Sequence, residues 1–127
     1  MSYNKPLEGV KIVEISTIVT ASLATMMMAD QGAEVIKIEQ SGIGDPMRYL
    51  GTQKGGMSAL FANCNRGKKS IDLNLKEKDD LEIVKKLISN ADILINNFRP
   101  GVMDKVGLGE SDCKKLNDNL IYASING

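Results

Sequence analysis

The sequence predicts an α/β fold: a mainly parallel sheet of about five strands with helices on its faces. Two observations carry that expectation. Short β-branched runs alternate along the chain with segments of helical period. Residues 10–39 read strand, helix, strand, a unit that implies a right-handed parallel crossover.

The elements follow in order. Val10–Ile15 (VKIVEI) is the first strand, entered from the turn Pro6-Leu7-Glu8-Gly9; alternation puts Val10, Ile12 and Glu14 on one face. Ile18–Asp30 reads as a buried helix dominated by Ala and Met, stopped by Gly32. The run Met26-Met27-Met28 reads as pliable core packing. Glu34–Glu39 (EVIKIE) is the second strand. From Gln40 to Asn65 the period fails while Gly42, Gly44, Pro46, Gly51, Gly55 and Gly56 accumulate, which predicts a long loop excursion of the kind that is functional or disordered. Ser70–Leu75 (SIDLNL) alternates strictly, as an edge or half-exposed strand does. Asp79–Asn90 places Leu81, Val84, Leu87 and Ile88 at helical spacing, so it is an amphipathic helix whose Asp79 and Asp80 suit its positive end. Ala91–Asn97 is a strand. Pro100 opens a helical turn closed by Gly107, Ser111 caps another short helix, and Leu120–Ile125 is the last strand. No repeat or linker divides residues 1–127, which read as a single domain. Open α/β sheets bind ligands at the carboxyl ends of their strands, here near residues 16–20, 40–44, 97–101 and 124–127, with the Leu75 end added if its strand is parallel.

Composition narrows the function. The 127 residues, 43% hydrophobic and 25% charged, suit one domain able to bury about two-thirds of its unfolded surface. Sixteen basic residues balance sixteen acidic ones, unlike a nucleic-acid binder. With no histidine, this chain holds no His-based triad, general base or metal ligand. Cys64 and Cys113 are too few for a disulfide framework or a four-cysteine zinc site, so free thiols in a reducing cytoplasm and no metal are expected. No apolar run approaches the roughly 18 residues of a membrane span, and the amino-terminal stretch has no secretory h-region. A cytoplasmic protein without membrane or nucleic-acid partners is expected.

Two nucleotide motifs fail. Gly42-Ile43-Gly44 follows the second strand rather than the first and lacks a third glycine in register, so it is not a dinucleotide fingerprint. Residues 65–70 (NRGKKS) echo the end of a phosphate-binding loop, but a strand follows where a helix is required.

Several segments together, in order and spacing, resemble the class III CoA-transferase family, the CaiB/BaiF type, which includes formyl-CoA transferase and 2-methylacyl-CoA racemase relatives. They are PLEGVKIVE (6–14), MADQGAEVIKIE (28–39), Gly44-Asp45, NRGKKSIDL (65–73), ADILINNFRPGVM (91–103), Gly107-Leu108-Gly109, Leu116-Asn117 and LIYASING (120–127). The resemblance covers nearly the whole chain. It implies the amino-terminal, Rossmann-like part of a large domain from a longer protein that handles CoA thioesters and whose chains interlock. Transferases of this family move CoA between carboxylic acids through an aspartate; racemases use a His/Asp pair. Both sets match positions beyond residue 127, so no catalytic residue is expected here, and the chain by itself is expected to be inactive. Racemase ancestry and a non-catalytic, oligomerising role remain alternatives, with Gly44-Asp45 and residues 97–101 favouring transferase.

By the same resemblance, a coenzyme A or acyl-CoA ligand would meet Asp72, Leu73, Asn74 and Leu75 beside its adenine. Asn97 and Phe98 would lie along nucleotide and pantetheine, and Lys105 and Val106 form a basic-apolar pair on the same ligand. Gln40 stands where the family typically has an arginine for the CoA phosphates. That loss could cost about 1.5–3 kcal/mol, with Arg66, Lys68 or Lys69 as possible substitutes. Val19 stands where transferases often carry glutamine, Ala21-Ser22 replaces a Gly-Pro pair, and Asn74 replaces a common aspartate. A sheet cut short exposes apolar surface, so a homo-oligomer is expected.

Overall fold

The computed structural model describes residues 4–126. Five parallel strands form one sheet: β1 (Lys11–Ile15), β2 (Glu34–Gln40), β5 (Lys69–Leu73), β6 (Ile93–Asn96) and β7 (Ile121–Ser124), in the order β5-β2-β1-β6-β7. Chain order runs outward from β1 in both directions, so the crossover reverses between β1 and β6. Ile12 pairs with Val35 on one side and Ile93 on the other. The strictly alternating segment is indeed an edge strand, and it is parallel, with Ile38 opposite Ile71.

Alternation sorts the side chains onto two faces. On one face, Ile12, Val35 and Ile95 pack with Ala21 and Ala33 under α1 (Thr20–Asp30). On the other, Val13, Ile15, Ile38, Leu73 and Leu94 form the larger core. It is covered by α3 (Lys78–Ser89), α4 (Val102–Lys105) and α5 (Glu110–Leu116) through Val84, Ile88, Met103 and Cys113.

The excursion after β2 is more ordered than its glycines suggest. It contains a 3-10 turn (Pro46–Tyr49), a two-residue hairpin of β3 (Gln53–Lys54) and β4 (Met57–Ser58), and α2 (Ala59–Asn65). Ser58 caps α2 by accepting from the Phe61 N–H at 3.2 Å. Phe61, Cys64 and Met47 then bury against Val19, forming a small core of their own.

Three further expectations are corrected. The first helix starts at Thr20, because Ile18 adopts a left-handed conformation (φ 62°) that no α-helix continues. Met26 is buried, but Met27 is 55% exposed and takes no part in the core. Ser111 lies inside α5, whose cap position is Gly109 and carries no side-chain cap; a Cβ there would stand 2.2 Å from Asp104 Oδ1, so a capping side chain would require Asp104 to turn aside.

Candidate functional site

A cavity of about 320 Å³ opens at the carboxyl ends of β1, β2 and β5. Its floor is Ile15, Ile38 and Leu73; Ser16, Thr17, Gly44 and Asp45 form one wall, and Phe98, Val102, Met103 and Val106 form the other. A hollow of similar volume at the opposite edge is lined by Lys11, Glu34 and Asn90, at the amino ends of the strands. The carboxyl-edge cavity is the better candidate, because the loops that follow the strands converge there.

Of the residues singled out from the sequence, Gln40, Leu73, Asn74, Leu75, Phe98 and Val106 line this cavity. Four do not. Asp72 points to the other face of β5, where its Oδ2 accepts from the Gly42 N–H at 3.2 Å. Val19 precedes α1 and packs on the Met47–Phe61–Cys64 cluster. Lys105 is exposed on α4. Asn97 acts one step back: its Oδ1 accepts from the Thr17 N–H at 3.0 Å and its Nδ2 donates to the Thr17 carbonyl at 2.6 Å, fastening β6 to the turn after β1.

Lys76, not anticipated from the sequence, is the one lysine or arginine among the described residues that lines the cavity. Its loop is shaped by Asn74: the Asn74 N–H donates to Asp80 Oδ2 at 2.8 Å, and Asn74 Oδ1 accepts from the Lys76 N–H at 3.1 Å. Arg66, Lys68 and Lys69 are engaged elsewhere. Arg66 pairs with Asp30 at 2.6 Å and Lys69 with Glu34 at 2.9 Å, while Lys68 is buried on Glu14 at 2.7 Å. Lys69 opens β5 at its amino end, which explains why this basic run does not reach the cavity.

The carboxylates near the cavity are committed. Glu39 accepts from the Asp45 N–H at 2.8 Å, from Arg48 Nε and Nη2 at 2.8 Å each, and from Ser70 Oγ at 2.7 Å. Burial pushes its pKa up, but Arg48, Ser70 and the Asp45 N–H together bring it down to about 2. Arg48 is fixed in turn over the Phe61 ring, 3.9 Å from its centroid. An ionised carboxylate with four donors on it positions the Gly44–Asp45 wall and has no capacity left for proton transfer or attack.

Beneath that wall lies a buried group of four charges that alternation only hinted at. Glu14 contacts Lys37 and Lys68 at 2.7 Å each, and Lys37 lies 2.9 Å from Asp45. Ser16, Ser22 and Thr25 also donate to Glu14. Burial alone would raise the Glu14 pKa; the two ammonium groups overcome that and hold it at about 2. Burial lowers the Lys68 pKa, with Glu14 opposing. Two positive and two negative charges make the group neutral, which is how four ions tolerate the interior.

Among the described residues, no cluster of three His, Cys, Asp or Glu side chains could hold a metal ion. Among those residues, too, no helix is long and apolar enough to cross a membrane.

The CoA-transferase family III model matches residues 7–127. An acetyl-CoA:oxalate CoA-transferase of Acetobacter aceti is 41% identical over 122 residues, covering 96% of this chain and 31% of that protein. The Homo sapiens succinyl-CoA:glutarate CoA-transferase is 40% identical over 128 residues, covering 100% and 29%. The crystal structure of a CAIB/BAIF family protein from Brucella suis superposes with a TM-score of 0.91 at 39% identity, covering 98% of this chain and 34% of that one. The chain thus spans about a third of the length of these relatives.

Proposed function

This chain belongs to CoA-transferase family III, and from that premise we propose that its carboxyl-edge cavity is the coenzyme A side of an acyl-CoA:carboxylate CoA-transferase site. The observation that carries the reading is the convergence of Gln40, Leu73, Asn74, Leu75, Phe98 and Val106 on one cavity from four separate stretches of sequence. Apolar walls with a few polar groups suit a ligand that is part ring, part flexible arm and part phosphate. In this reading Leu73 to Leu75 flank the adenine and Phe98 packs along the arm. Lys76 supplies the positive charge that Gln40, in the arginine position, does not.

Residues 1–127 would serve as the amino-terminal, ligand-holding part of a large domain. The cavity's own carboxylates, Glu39 and Asp45, are bonded into the scaffold, so the reactive carboxylate is assigned to residues outside this chain. Self-association is part of the proposal: β7 leaves one sheet edge open, with Ile121 61% exposed.

Titration calorimetry with CoA and acetyl-CoA tests the binding. Saturable heat is expected; none at millimolar ligand would overturn the reading. The chain alone is expected not to exchange CoA between labelled formate, oxalate or succinate, and measurable exchange would overturn the assignment of the reactive group.

A further inference from the structure

Ile18 is the one non-glycine residue among the described residues with a positive φ, 62°. That conformation is disfavoured for L-residues, and most of all for a β-branched one. Packing does not explain it, since Ile18 is 43% exposed. A backbone bond does: the Ile18 N–H donates to Asp45 Oδ1 at 3.0 Å, and the same oxygen accepts from the Met47 N–H at 2.9 Å.

Asp45 is itself anchored from below. It is buried, and its second oxygen lies 2.9 Å from Lys37 Nζ without a hydrogen bond. The three Lys37 protons are directed instead to Glu14 at 2.7 Å, Ser22 Oγ at 3.0 Å and the Ser16 carbonyl at 3.2 Å. The turn after β1 is therefore fastened at three consecutive residues: Ser16 by Lys37, Thr17 by Asn97 and Ile18 by Asp45. Ser16, Thr17 and Asp45 are also cavity wall.

We infer that Asp45 is a positioning residue: it latches the strained Ile18 turn onto the buried charge group and so holds the cavity wall in its ligand-receiving shape. Strained backbone persists only where its surroundings over-determine it, and it concentrates at ligand sites. The inference rests on reading the cavity as the CoA site, but the latch has a readout that needs no ligand.

The test combines CoA calorimetry with amide hydrogen exchange at Thr17 and Ile18. Asp45→Ala should speed exchange at both amides and weaken CoA binding, each about tenfold. Adding Ile18→Gly, which adopts the left-handed turn without strain, should restore most of the binding. If Asp45 served only to balance Lys37, glycine would not rescue, and failure of rescue overturns the latch. Should Asp45→Ala not fold, Asp45→Asn decides, because it keeps the Oδ1 acceptor and removes the charge. Retained protection of the Ile18 amide supports the latch, and its loss overturns it. Absence of CoA binding by the unmutated chain would sink the CoA reading alone, with the exchange data still judging the latch.

Discussion

Lys68 Nζ lies 2.7 Å from Glu14 Oε2, with both side chains sealed from solvent at 2% and 0% exposure. The contact joins the segment before β5 to β1, across 54 residues of sequence. Lys68 also donates to the Ser22 carbonyl of α1 at 2.8 Å and to Asn65 Oδ1 at 2.9 Å. One ammonium group therefore fastens the return of the excursion to the sheet and to the helix above it. Lys68→Met would leave Glu14 and Asp45 against Lys37 alone, a net buried charge. The expected loss is about 3–5 kcal/mol, since removing one partner of a buried pair exposes the other's desolvation cost. Urea denaturation of the two proteins measures it.

The same carboxylate makes stability depend on acid. The Glu14 pKa falls from an ordinary 4.5 to about 2 on folding. The folded value is below the unfolded one, so the unfolded chain binds the proton more readily. The stabilisation is full above about pH 5 and disappears as pH falls toward about 2, on the order of 3 kcal/mol. Glu39 moves in the same direction, also to about 2. Urea midpoints should fall most steeply between about pH 4.5 and about pH 2, the interval between the unfolded and folded values of these two carboxyls. In Glu14→Gln the starting stability should be lower and the slope shallower; an unchanged slope would refute the assignment to Glu14.

The fold was legible because its signals are periodic. VKIVEI, EVIKIE and ADILIN each show enough β-branched residues in register to be strands, and all three are. The six cavity residues were legible through a resemblance that spans the chain. What escaped was set by tertiary contact. α2 hid behind glycines because seven residues give two turns and little periodicity, and its capping Ser58 resembles any loop serine. Lys68 and Lys69 are identical in sequence terms, yet adjacent positions on a strand's approach point to opposite environments, one buried and one solvated. Lys76 sits beyond the strand end, where the bend made by Asn74 and Asp80 brings it to the cavity, and no local pattern encodes that bend.

Charge at the cavity rim should set affinity. Lys76 is the lining cation, and Gln40 offers only a neutral amide. Gln40→Arg should tighten CoA binding about tenfold, the value of one added charge-assisted phosphate contact near 1.4 kcal/mol. Lys76→Gln should weaken it about three- to tenfold and reduce its salt dependence, because screening acts on what remains of the charge interaction. Calorimetry at low and high ionic strength separates these effects. Equal affinities for Lys76→Gln and the parent chain would remove Lys76 from the site.

Gly42 and Gly44 flank the first turn after β2, both with positive φ, 77° and 72°. Their surroundings differ. A Cβ on Gly42 meets nothing within 4 Å, whereas one on Gly44 would stand 2.9 Å from Glu39 Oε2 and 3.2 Å from Arg48 Cδ. That carboxylate cannot swing aside, held as it is by Arg48, Ser70 and the Asp45 N–H. Gly42→Ala should therefore cost only the left-handed backbone penalty, about 1 kcal/mol. Gly44→Ala adds a collision with a fixed ion pair and should cost about 2–3 kcal/mol. Gly44 and Asp45 also form the cavity wall, so Gly44→Ala should weaken CoA binding while Gly42→Ala leaves it near the parent value. Thermal melts paired with calorimetry on the two variants provide the check, and equal losses in both would contradict the role given to Glu39 as a rigid support.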